Sequence, residues 1–248
     1  MPLGFAAGVL GSMVGLGGGF VIVPALTFAG FSPTLAASDS LFAAFCNAVA
    51  STVSYAKQKR IVYSLGIKLA LLSIPGTVLG AYISDVISPP MFKMLFGVVL
   101  VASSVYIYSR RKMEPKEYNL SKQVMILAVG SSFFAGIISS LFGIGGGTVF
   151  VPLMVVAIGL SMKIAAPTSQ FILMFAAASG MIVHSLLGHP DYLEAGLLSA
   201  GAFAGGIVGS KLSLRVSEGK LRVLVIIILI STSVKLFIDA FNTQAKNQ

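Results

Sequence analysis

Charged residues make up 10% of this 248-residue chain, where a soluble domain of that size carries about 25%. With 56% hydrophobic residues and a mean hydropathy of +0.94, a water-soluble core cannot absorb the excess. The single cysteine, Cys46, lies in an apolar run; this excludes an intrachain disulfide and a thiolate metal cluster and reads as a buried structural thiol. Histidine occurs twice, at His184 and His189. Read as isolated residues, they are too few for a metal site, and His184 reads as a satisfied structural side chain. The apolar runs hold no paired carboxylates, histidine cluster or nucleophile–base pair, which argues against an intramembrane enzyme. Met1–Ala29 has no positively charged leader and no small-residue cleavage site, so it is expected to be mature structure rather than a signal peptide.

What is abundant is apolar sequence in stretches long enough to cross a hydrocarbon core, which takes roughly 20 helical residues. Lipid offers backbone groups no partner, so the spans must be helices or a closed barrel. Unbroken runs such as Leu221–Ser231 exclude barrel alternation. The formal charge of +9 sits in short basic clusters between apolar runs without an aromatic platform, which reads as topology signal and not as a nucleic-acid surface.

The chain contains an internal duplication. Phe5–Gly19 reads FAAGVLGSMVGLGGG and Phe133–Gly147 reads FFAGIISSLFGIGGG, and each copy reaches a proline, Pro24 and Pro152, in a valine-rich run. After one inserted residue the register continues, with Ser40 facing Ser169, Tyr55 facing His184, Tyr63 facing Tyr192, Gly76 facing Gly205 and Gly80 facing Gly209. The expected organisation is a first repeat over 1–109, a charged cytoplasmic linker over 110–122, and a second repeat over 123–248. Each half holds one glycine-broken element and three continuous helices, near Pro33–Ala56, Val62–Ser84 and Met91–Tyr108, then Lys163–Leu187, Leu193–Leu214 and Lys220–Phe241. The fold class is an all-α polytopic membrane protein of two homologous halves.

Lys and Arg favour cytoplasmic loops. If both broken elements are re-entrant, Lys57, Lys59, Arg60, Arg110, Arg111, Lys112, Lys116, Lys122, Lys163, Lys211, Arg215, Lys220 and Arg222 fall on one side. Lys93, Lys235 and Lys246 then fall opposite, and Lys68 within a span is expected to snorkel to the interface. This arrangement predicts inverted repeats, six full spans, two re-entrant hairpins, and both termini outside a cell membrane; if both broken elements instead cross fully, Lys163 and the cluster Lys211–Arg222 move to the outer side. A continuous helix over Pro2–Gly30 would extend about 43 Å, well beyond the hydrocarbon thickness.

The triple glycines carry the candidate site. Glycine is costly in a helix and readily adopts positive φ, so Gly17, Gly18 and Gly19, with Gly145, Gly146 and Gly147, are expected to unwind the chain at membrane depth. The helix arm after each break begins with free N–H groups and a positive dipole end, a ready anion site. The alternative is close helix packing alone, to which Gly76, Gly80, Gly205 and Gly209 are assigned. Ser40, Asn47, Ser169 and Gln170 supply hydroxyls and amides suited to an oxyanion. Asp39 reads either as a proton-coupling carboxylate or as a helix cap near the interface.

A Gly-x-Gly-Gly-Gly segment leading to a proline, repeated as Gly15–Pro24 and Gly143–Pro152, resembles the sulfite exporter TauE/SafE family over nearly the whole chain. The resemblance implies a membrane transporter, often an exporter, for sulfur-containing anions such as sulfite, sulfoacetate or related organosulfonates. The expected partners are a small anion, protons and the lipid bilayer, with no cofactor, metal or nucleic acid. Alternating access around the glycine pocket leads. A passive anion channel using the pocket as a filter, or transport of another small organic anion, is the other reading.

Overall fold

The computed structural model describes residues 1–109 and 122–246, so the expected linker and its Arg110, Arg111, Lys112 and Lys116 lie outside the described residues. Among the described residues all regular structure is helical: α1 (Pro2–Val14), α2 (Gly19–Phe28), α3 (Pro33–Lys57), α4 (Tyr63–Val86), α5 (Pro89–Ser109), α6 (Lys122–Leu141), α7 (Gly147–Pro152), α8 (Met162–Leu186), α9 (Tyr192–Arg215) and α10 (Glu218–Lys246). Helix α7 continues as a π-helical stretch, Leu153–Ala157. The wider winding begins directly after Pro152, whereas the equivalent Pro24 lies inside an unbroken α2. Helices α4, α8 and α9 are long and apolar enough to cross a bilayer by length and composition.

The chain enters α3 through Ser32, whose hydroxyl accepts from the Leu35 N–H while Pro33 occupies the first turn. Asp191 caps α9 in the same manner, accepting from the N–H groups of Leu193 and Glu194.

The halves pack crosswise. Helix α1 lies on α9 and α6 lies on α4, so the first helix of each half rests on the other half; α3 packs on α8 and α5 on α10 across the centre. Small residues make this possible, since apolar side chains alone do not drive helices together in lipid. Gly4 lies against the backbone of Leu198, Gly8 against Ala202, and Gly209 against Val9, so α1 and α9 run in the same direction. Gly76 against Phe133 and Gly80 against Ile137 repeat the contact between α4 and α6. The packing role read for Gly76, Gly80, Gly205 and Gly209 is therefore the observed one. Helices α3 and α8 cross antiparallel, with Leu41 near the start of α3 against Gly180 near the end of α8.

An aromatic cluster fixes α5 to the second break: Phe96 stacks on Phe142 at 5.0 Å, and Phe92 meets Phe142 edge-on at 5.1 Å. Cys46 corrects one expectation, being half-buried rather than sealed in a core.

Candidate functional site

Both glycine segments interrupt their helices. Helix α1 ends at Gly15 in the left-handed region (φ 81°), Gly17 and Gly18 follow at 82° and 84°, and α2 starts at Gly19. In the second half Gly143, Gly145 and Gly146 lie at 66°, 69° and 83° before α7 starts at Gly147. Any side chain is strained in that region, which is the physical reason for glycine here.

The two breaks cross in contact. A Cβ on Gly19 would meet Gly143 O and, at 2.6 Å, Ile144 Cα; a Cβ on Gly147 would meet Gly15 O and, at 2.6 Å, Leu16 Cα. Gly17 and Gly145 both face Leu173 and Ala44, one residue from each of the central helices α3 and α8. All six glycines are buried. Among the described residues, the N–H groups of Gly18, Gly19 and Phe20, and of Gly145, Gly146, Gly147 and Thr148, donate to no carbonyl or side chain. Seven unpaired donors thus gather around one crossing point.

The serines read as ligand donors hold the crossing. Ser40 Oγ donates to Gly143 O at 2.7 Å, and Ser169 Oγ donates to Gly15 O at 2.7 Å. Each hydroxyl satisfies a carbonyl that the other half's broken helix leaves open, so its proton is committed while its lone pairs stay free. Gln170 Nε2 donates to Gly11 O at 2.9 Å, beside the first break. Asn47 stands apart from the crossing: with its amide in the satisfied orientation, Nδ2 donates to Gly8 O at 3.1 Å and Ala202 O at 3.3 Å, tying α3 to α1 and α9. Asp39 Oδ1 accepts from the Asp191 N–H at 3.0 Å, and the equivalent Thr168 Oγ1 accepts from the Val62 N–H at 3.1 Å. Each therefore closes the start of a helix in the opposite half, while Asp39 Oδ2, buried, has no partner among the described residues.

The family model for the sulfite exporter TauE/SafE matches residues 1–236. The chain belongs to that family. It is 30% identical over 253 residues to "Probable membrane transporter protein YunE" of Bacillus subtilis (strain 168), covering 92% of each chain. It is 20% identical over 234 residues to "Probable membrane transporter protein YfcA" of Escherichia coli (strain K12), covering 94% of this chain and 87% of that one. No solved structure matches the chain. The molecule is thus a helical membrane protein of a transporter family.

In this TauE/SafE chain several of the buried unpartnered side-chain atoms lie in or beside the two breaks, Ser139, Ser140 and Thr148 at the second and Gln170 at the first, while others, among them Ser38, Thr52 and Ser199, lie elsewhere. Ser139 Oγ, Ser140 Oγ, Thr148 Oγ1 and Gln170 Oε1 are buried without a partner among the described residues. The Ser139 Cβ lies 3.2 Å from where a Gly146 Cβ would sit, and Thr148 follows Gly147 directly. Such orphan groups are rare in folded proteins and each asks for a partner. A cavity of about 360 Å³ between α5, α6 and α7 reaches Thr148, Ser103 and Ser131. The sequence reading missed Thr148; the signal was a hydroxyl immediately after the third glycine, where the first half has Phe20.

The pair Tyr55 and His184, equivalent in register but unlike in chemistry, turns out to share one task. Tyr55 Oη donates to Ser12 O at 2.7 Å, and His184 Nε2 lies 3.2 Å from Ser140 O. The reading of the histidines as isolated is corrected here: His184 Nδ1 lies 2.8 Å from His189 Nδ1. The reason is local. Helices α3 and α8 end in the same turn, with Lys59 (φ 55°) and Gly188 (φ 74°) left-handed, and with Arg60 N–H bonded to Tyr55 O and His189 N–H to His184 O. That turn folds residue 189 back toward residue 184, as it folds residue 60 toward residue 55.

Proposed function

We propose that this protein is a secondary transporter that exports a small sulfur-containing anion, such as sulfite, sulfoacetate or a related organosulfonate, by alternating access around the crossed glycine breaks. The observation that carries the reading is the set of unpaired N–H donors at the crossing, next to the orphan hydroxyls of Ser139 and Thr148. Backbone donors bind an oxyanion without a cationic side chain, which holds it weakly enough for release. Membership of the sulfite exporter TauE/SafE family supports sulfur oxyanions as the class. Leu173 and Ala44 close over the crossing, which favours alternating access over an open filter.

The topology that fits is inverted, with each broken element dipping in from one face of a cell membrane and returning to it, and with both termini outside. Three features support this. Parallel packing of α1 with α9 and of α6 with α4, together with the antiparallel crossing of the equivalent helices α3 and α8, matches a twofold axis lying across the helices. Arg60 Nε donates to Lys163 O at 2.8 Å and Arg60 Nη1 to Ser213 Oγ at 3.1 Å, which gathers three basic loops at one end. Lys235 lies over the Phe28 ring at 3.8 Å, in the set assigned to the opposite face. Single cysteines replacing Ser32 and Lys163 in a Cys46→Ser background should react with an impermeant maleimide from opposite sides. Reaction of both from outside would instead require fully spanning broken helices.

Ligand identity is tested by thermal shift of purified protein with sulfite, sulfate, thiosulfate, sulfoacetate, taurine and carboxylate controls. Selective stabilisation by a sulfur oxyanion is expected, lost in Gly18→Val and Gly146→Val. Because valine is strained at their positive φ, Thr148→Val serves as the isosteric companion: removing one hydroxyl should weaken binding about tenfold with folding intact. Stabilisation that is indifferent to all three variants would move the site elsewhere.

A further inference from the structure

His184, His189 and Asp85 form a hydrogen-bonded row that the anion site does not use. Ser140 O lies 3.2 Å from His184 Nε2; His184 Nδ1 lies 2.8 Å from His189 Nδ1; His189 Nε2 lies 2.7 Å from Asp85 Oδ1. The row climbs from a buried imidazole to a carboxylate whose side chain is 41% exposed, and it joins α6, α8, the turn after α8 and the end of α4.

Counting protons along the row decides what it can do. A carbonyl only accepts, so His184 carries hydrogen on Nε2. Its Nδ1 must then accept, and His189 must donate from Nδ1. One further proton has to lie between His189 Nε2 and Asp85. A second added proton, placed on His184 Nδ1, would set two N–H groups against each other across 2.8 Å and break the row. Losing the first would set a ring lone pair against a carboxylate oxygen across 2.7 Å.

We propose that His184, His189 and Asp85 are a proton-binding latch at one end of the molecule, closed with one shared proton and opened by a second. The equivalent position at the other end has no such property. There Tyr55 Oη donates to Ser12 O at 2.7 Å and lies 3.3 Å from Ser213 Oγ, with the Arg60 guanidinium 5.3 Å from the centre of the Tyr55 ring. Phenol and guanidinium do not titrate near neutrality in the way imidazole does. The pseudo-symmetric ends therefore differ in one respect, that protons act on only one of them.

The other charged groups on elements packed against α8 are few among the described residues. Helix α3 brings Asp39, bonded to the Asp191 N–H, and Lys57 at the far end; α4 brings Lys68 near its start; α10 brings Lys220, exposed in its first turn, and Lys235, placed over Phe28. The following helix α9 opens with Asp191, which caps it, and Glu194. Helix α1 has no charged residue. The gating consequence, that acid favours opening at this end, rests on the alternating-access reading; the proton site itself does not.

Histidine NMR tests the site directly, because the chain has two histidines. Untagged protein with labelled histidine should show His184 as the Nε2–H tautomer at neutral pH, and the two rings should titrate as a coupled pair. His184→Tyr, which copies the other half, should move the His189 Nδ1 resonance, because the ring nitrogen 2.8 Å away is replaced. Opening is read by maleimide labelling of Ser140→Cys in the Cys46→Ser background, normalised to exposed Ser32→Cys at the same pH. Normalised labelling should rise about tenfold from pH 7 to pH 4, and stay within about twofold in His184→Tyr. His189→Gln gives the same loss of pH response and serves if the tyrosine variant does not fold. Independent single titrations of the two rings would overturn the latch, as would a pH response that survives both histidine variants. A response that survives both and vanishes in Asp39→Asn would assign the proton to Asp39 instead. Failure of anion binding leaves the histidine titrations standing, so the two readings fail separately.

Discussion

Gly19→Ala and Gly147→Ala are each expected to destabilise the folded protein by about 1–3 kcal/mol and to abolish most transport, because one methyl group is driven into the opposite half's backbone. The two positions are equivalent in the repeat, and neither has positive φ, so the added cost is purely that of the crossing. At Gly19 the new carbon would lie 2.9 Å from Ser40 Oγ and 2.6 Å from Ile144 Cα; at Gly147 it would lie 2.6 Å from Leu16 Cα and 2.9 Å from Leu16 C. Backbone cannot rotate away as a side-chain tip can. Gly130→Ala and Gly196→Ala are the controls, since nothing lies within 4 Å of a Cβ at either position. They sit inside helices and should be neutral or stabilising by up to about 1 kcal/mol. Thermal unfolding in one detergent compares all four; equal behaviour of Gly19→Ala and Gly196→Ala would show that the breaks do not touch.

Ser40→Ala and Ser169→Ala should each cost about 1–3 kcal/mol, because each leaves a buried carbonyl of the opposite break without its donor. The hydrogen bonds are short, both 2.7 Å, and join residues 103 and 154 positions apart. The double variant should lose at least the sum, since the two bonded carbonyls belong to segments in mutual contact. Ser→Thr at either position retains the hydroxyl and should recover part of the stability. A double alanine variant that unfolds at the parental temperature would mean that the hydroxyls serve the ligand alone.

Much of this site was legible in the residues. Three consecutive glycines cannot serve one helix face, so a break was the natural reading, and it falls at Gly15–Gly18 and Gly143–Gly146 in the structure. The repeat register also placed Tyr55 opposite His184. What the register could not say is that both side chains reach a carbonyl in the first helix of their own half, nor that residue 189 returns to residue 184 through a left-handed turn at Gly188. Ser40 and Ser169 were visible as polar groups in an apolar setting, yet their donors go to glycine carbonyls that no sequence spacing connects to them. Asp39 shows the same limit: its partner is a backbone N–H 152 residues away.

The sequence by itself determined that the bilayer is the solvent, that the spans are helices, that the chain is two related units, and that each unit is broken at its glycines. Those conclusions follow from local properties: charge content, run length, backbone entropy and self-similarity. Tertiary structure alone decided that α1 rests on α9 and α6 on α4, that the two breaks meet face to face, and that two histidines and an aspartate form a row. In lipid every apolar face is equally satisfied by acyl chains, and a small-residue stripe fits any helix of suitable curvature. The choice of neighbour, and with it the partner of every buried polar atom, is made only when the two halves pack.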